Sequence, residues 1–148
     1  MKQLKLLLTI ALFAMLGTGC KQVPIDDVTP EMAVTYTTLE GIWTLTHWNG
    51  APIEDNTNLY ITFLRREKRF EMWSNIGSMY YVESTGEFRI EQDHNKRYIL
   101  KGWYDYGAGD WSSDYYVELE YPGSRILLRE LEGGDTMEFK RIEALPEF

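Results

Sequence analysis

From Leu39 onward apolar and polar residues alternate with a period of two, and turn-forming residues break the alternation roughly every 8 to 15 positions. That period sends successive side chains to opposite faces of an extended chain, so each run can bury one face only as a β-strand. Leu59, Ile61 and Phe63 share one face, with Tyr60 and Thr62 on the other. Phe70 and Met72 alternate with Arg69 and Glu71, and Phe88 and Ile90 with Glu87, Arg89 and Glu91. Tyr115, Val117, Leu119 and Tyr121 alternate with Tyr116, Glu118 and Glu120, and Met137, Phe139 and Arg141 with Glu138, Lys140 and Ile142.

Runs over 41–48, 97–105 and 124–131 bring the expected strands to eight. In 97–105 the faces compete: Tyr98, Leu100 and Tyr104 stand against Ile99 and Trp103. Short links such as Tyr121-Pro122-Gly123-Ser124 and Glu132-Gly133-Gly134-Asp135 join neighbours as an antiparallel meander and leave no room for βαβ crossovers. The prediction is an all-β fold, an eight-stranded antiparallel up-and-down barrel whose closure removes exposed edges. Large inward residues (Phe63, Phe70, Met72, Tyr115, Val117 and Phe139) argue for a filled interior, whereas Ser74, Ser84 and Gly86 on the same face leave room.

The chain ahead of the barrel has a different character. Lys2 and Lys5 precede an apolar run from Leu6 to Leu16, broken only by Thr9, and Gly17, Thr18 and Gly19 follow. This is the layout of a secretory signal peptide over residues 1–19, and the apolar run is too short to span a bilayer. Residues 20–38 are polar, carry Pro24 and Pro30, and read as a flexible tether, with Thr29-Pro30-Glu31 as a signal for one short helical turn. The barrel domain is then 39–148.

The only cysteine, Cys20, closes the stretch Leu16-Gly17-Thr18-Gly19-Cys20. This stretch resembles the lipobox of bacterial lipoproteins, with Gly17 where a branched aliphatic is commonest. The resemblance implies that the Cys20 sulfur receives diacylglycerol and that cleavage makes Cys20 the new N-terminus, giving a membrane attachment through the lipid anchor. Lys21 in the next position, in place of the aspartate that retains family members at the inner membrane, implies the outer membrane of the cell envelope. The other reading is an ordinary secreted protein with a free thiol. A formal net charge of −8 weighs against nucleic acid, which is bound through clustered Lys and Arg.

Gly41-Ile42-Trp43 opens the first strand, and Ser113-Asp114-Tyr115 lies further on. They look like the Gly-x-Trp and Thr-Asp-Tyr motifs of the lipocalins, with serine in place of threonine and no room after Phe148 for that family's C-terminal helix. The resemblance covers about residues 39–142. It implies a barrel floor in which Gly41 and Trp43 meet an arginine of the last strand. Parity puts Arg141 on the inner face, with Arg129 as the rival. It also implies binding of a small apolar or amphipathic molecule inside the barrel. The alternative is a filled barrel acting on protein partners through exposed aromatics such as Trp73 and Tyr116.

The stretch 102–116 concentrates Trp103, Tyr104, Tyr106 and Trp111 beside Tyr115, which together form the expected ligand-binding group at the barrel mouth. Asp105, Asp110 and Asp114 do not follow calcium-loop spacing, and neither His47 nor His94 has a partner at metal-ligand spacing. No metal and no cofactor is expected. Most carboxylates alternate outward, and no nucleophile elbow or phosphate loop is present, so the chain is not expected to be an enzyme.

Overall fold

The computed structural model describes residues 31–148. The expected signal peptide, Cys20 and residues 21–30 lie outside the described residues. The elements are β1 (Glu31–Met32), α1 (Tyr36–Leu39), β2 (Gly41–Trp48), β3 (Ala51–Pro52), β4 (Leu59–Leu64), β5 (Arg69–Ser74), β6 (Val82–Gln92), β7 (Tyr98–Tyr104), β8 (Tyr115–Glu120), β9 (Arg125–Glu130) and β10 (Thr136–Ile142).

Strands β2 and β4 to β10 pair antiparallel in chain order, and β10 returns to pair with β2, closing an eight-stranded up-and-down barrel. The seam runs Met137 opposite Trp48 to Ile142 opposite Ile42, with one irregularity at Glu138/Phe139, where Thr46 donates its hydroxyl to the Glu138 carbonyl. The barrel closes entirely within residues 31–148.

The inward faces are those the alternation dictates. Leu59, Ile61, Phe63, Phe70, Phe88, Val117, Leu119 and Phe139 are all buried. Phe63 and Phe88 meet edge to face with centroids 4.9 Å apart. On β7 the competition resolves towards Leu100, which is fully buried. Trp103 falls on the outer wall with Lys101, and the Arg89 guanidinium lies 5.6 Å from its ring. Two glycines clear space inside. A Cβ on Gly86 would stand 2.7 Å from two ring carbons of Phe70, and one on Gly102 would overlap the indole of Trp111. The room that Gly86 leaves is therefore taken by Phe70. Tyr121, expected inward, has left the strand and is 62% exposed.

The lead-in corrects the sequence boundary. The packed domain begins by Glu31, not at Leu39, because β1 pairs with the end of β8 and Val34 and Leu39 are buried in the core. This pairing covers β8 where β7, whose register with β8 covers only Ile99 and Leu100, gives no partner. The turn expected at Thr29-Pro30 begins outside the described residues, and a short helix covers Tyr36–Leu39. Thr35 caps it, its hydroxyl accepting from the Thr38 N–H while the Thr35 N–H donates to the Thr38 hydroxyl. Among the described residues no helix is long and apolar enough to cross a membrane.

Candidate functional site

The two ends of the barrel differ. At the end where β2 begins, Trp43 is fully buried and donates its indole N–H to the Leu39 carbonyl at 2.9 Å. The Arg141 guanidinium lies 4.2 Å from the Trp43 ring. It donates to three carbonyls: Gly123 at 2.7 Å, Thr38 at 2.8 Å, and Glu40. One side chain thus ties the α1 lead-in, the 121–124 turn and the last strand to the indole, and burial pushes its pKa down. Gly41 has a φ of +129°, and a Cβ there would collide with the Arg141 guanidinium. Arg129, the rival, is exposed on the outer wall of β9. Gly41, Trp43 and Arg141 therefore sit together and close this end.

The opposite end is open. After β7 the chain makes a 3₁₀ turn (Asp105–Gly107), folds back so that Asp110 bridges to Trp103, and donates the Trp111 N–H to the Gly102 carbonyl at 2.8 Å. This return drops the Trp111 indole into the barrel over Gly102. Its ring lies 5.0 Å from Phe70 and 6.1 Å from Tyr115. The Trp111 indole N–H is buried with no partner; among the described residues Thr62 Oγ1 is the other such atom. Above these rings remains a cavity of about 220 Å³, lined mainly by apolar side chains including Leu59, Ile61, Met72, Leu128 and Met137, with Tyr104, Trp111, Tyr115, Ser74 and Ser112. Burial pushes the phenols of Tyr104 and Tyr115 up, so both line it as neutral hydroxyls.

Of the five residues expected at the mouth, the structure brings together Tyr104, Trp111 and Tyr115. Trp103 is on the outer wall. Tyr106 is fully exposed at a φ of +60° and lines a separate, shallower depression with Glu83, Ser84, Thr85, Tyr104 and Asp105. Sequence reasoning missed Leu128, Met137 and Trp48 as lining residues; the first two were legible as the open-end members of inward faces.

The remaining polar candidates have structural partners. Arg69 and Thr85 both donate to Asp105, and the Arg69 bond chiefly, then the Thr85 bond, hold its carboxyl below the usual range. Asp114 lies 3.6 Å from Lys101. His47 sits 3.1 Å from the Thr46 hydroxyl and 3.7 Å from Glu138, and His94 is exposed. Among the described residues no three His, Cys, Asp or Glu side chains are grouped to hold a metal ion. The aromatics expected to be free for partners are covered: Trp73 stacks with Phe148 at 5.1 Å, and Tyr116 carries Arg97 at 4.0 Å and accepts its hydrogen bond. The exposed apolar residues instead include Ile76, Met79, Tyr80 and Val82, all on the open rim. No protein-family model and no curated protein sequence matches the chain.

Proposed function

We propose that this chain is a lipid-anchored lipoprotein of the outer membrane whose lipocalin-like barrel binds a small apolar or amphipathic molecule at its open end, without catalysis. The observation that carries this reading is the apolar cavity of about 220 Å³ over Trp111, in a barrel closed at its other end by Trp43 and Arg141. Ligand pockets commonly exceed about 300 Å³, so the site suits a short chain or a single ring. Native mass spectrometry of residues 21–148 after exposure to a lysate of the host tests it. An extra mass lost on denaturation is expected, and Ser74→Phe, which fills the cavity, removes it. A bare mass across several lysates sinks the reading. If Cys20 carries the anchor, Cys20→Ser releases the protein from membranes; a variant that still sediments with them refutes the anchor.

A second reading, a barrel that serves protein partners, is favoured by the filled lower interior and by Met79 and Tyr80, 92% and 78% exposed on the rim. Met79→Glu with Tyr80→Glu would abolish partner capture under that reading and leave ligand mass unchanged.

A further inference from the structure

The charge around the open end narrows the class of ligand, and this step rests on the ligand-binding reading above. No residue lining the cavity carries a charge. The four connecting segments at this end, 49–58, 75–81, 105–114 and 131–135, contain no lysine or arginine, while three of them carry aspartate or glutamate. The turns at the closed end differ: 65–68 holds Arg65, Arg66 and Lys68 beside Glu67, and Lys96 and Arg97 follow Asp93 in the next turn along. Arg129, on the wall of β9 leading to the open end, is exposed on the outside.

An acidic group also borders the cavity. A depression holding Glu54 shares Trp48 and Ile76 with it. Asp105 is engaged by Arg69 and Asp114 by Lys101. Glu54, Asp55, Glu83, Asp110, Glu132 and Asp135 are in no ion pair among the described residues. A ligand whose tail enters the cavity therefore leaves its head among uncompensated carboxylates. A concave, low-dielectric mouth strengthens their field over that of a flat surface.

We propose that the open end takes cationic amphiphiles, an amine or quaternary ammonium head on a short apolar tail, and disfavours fatty-acid anions. The tail is held by burial against Leu59, Ile61, Met72, Leu128 and Met137, which is indifferent to the head. The head is selected by charge. An anionic head meets no arginine or lysine in the cavity lining or the four connecting segments.

Residues 21–148 are titrated at low ionic strength with octyltrimethylammonium, octyl glucoside and nonanoate, which share one eight-carbon tail, and binding is read by calorimetry. The cation binds best and the anion worst. The ratio is about tenfold, on the scale of several partly screened surface carboxylates acting with opposite sign on the two heads. The ratio shrinks towards unity in about 0.5 M sodium chloride. Glu54→Gln with Asp55→Asn lowers the cation affinity and leaves octyl glucoside unchanged, and Ser74→Phe abolishes all three. Nonanoate binding as tightly as the cation overturns the preference while the cavity reading survives. Cation binding that persists in Ser74→Phe overturns it as adsorption to the rim. Binding by none of the three removes the cavity reading itself.

Discussion

Replacing Arg141 by alanine tests how the closed end is built. The guanidinium makes three bonds to backbone carbonyls, on Gly123, Glu40 and Thr38, and sits over the Trp43 ring. Hydrogen bonds to charged groups contribute about 1.5–3 kcal/mol each when buried. Arg141 is partly exposed and its carbonyls can recover water, so about 1 kcal/mol each is the fitting scale. The cation–π contact adds roughly 0.5–1 kcal/mol. Arg141→Ala should therefore cost about 3–4 kcal/mol, read as a fall in urea midpoint at unchanged slope and a drop in Tm of about 10–15 °C. Arg141→Lys keeps the charge and the ring contact but replaces a fork by a point, so it cannot reach carbonyls on three separate segments. It should recover less than half of the loss. A cost below about 1 kcal/mol for alanine, or full recovery by lysine, would refute the view that one forked side chain clasps the lead-in, the turn and the last strand.

Gly102→Ala should expel Trp111 from the barrel, because the new Cβ would stand 2.7 Å from the indole Cζ2. Tryptophan emission should shift to the red and stability fall by about 2–3 kcal/mol, and unchanged emission at wild-type stability would show that the indole is not seated on Gly102. Adding Trp111→Phe should relieve much of the cost, measured as coupling in a double-mutant cycle. Asp105→Asn tests the acid limb of the stability curve. The Arg69 and Thr85 bonds lower the folded pKa of Asp105, so it contributes stability above the ordinary value of 3.8, and this is lost as pH falls through the folded value. The variant should be less stable near neutrality and show a flatter decline of Tm below pH 3.8; a parallel decline would mean that the Arg69 contact does not bias this titration.

The barrel was legible wherever alternation left one apolar face, as in β4, β5 and β8, because a one-residue slip would expose Leu59, Ile61 and Phe63 together. It was ambiguous in β7, where Ile99 and Trp103 are as apolar as Leu100 and Tyr104. What decides that strand is not local: Gly102 must face inward because Trp111, nine residues on, needs its space. The lead-in was illegible for another reason. A two-residue strand and a four-residue helix carry no period, and their burial comes from partners at Leu119, Trp43 and Arg141 far along the chain.

The same distinction separates the two halves of the candidate site. Tyr104 and Tyr115 could be placed from strand parity, but nothing in 102–116 says that Trp111 enters the barrel while Trp103 and Tyr106 stay out; that depends on where the chain folds back at Asp110. The charge asymmetry lay open in the sequence, hidden only by summing it. In a meander, alternate connections lie at the same end, so assigning 49–58, 75–81, 105–114 and 131–135 to one end turns a diffuse negative charge into an acidic rim. Net charge spread over the whole surface would weaken binding of any anion, whichever way it approached. Charge confined to the rim acts on the head of whatever enters there. That is why carboxylates at Glu54 and Asp55, and not the total charge, should set which amphiphile the cavity accepts.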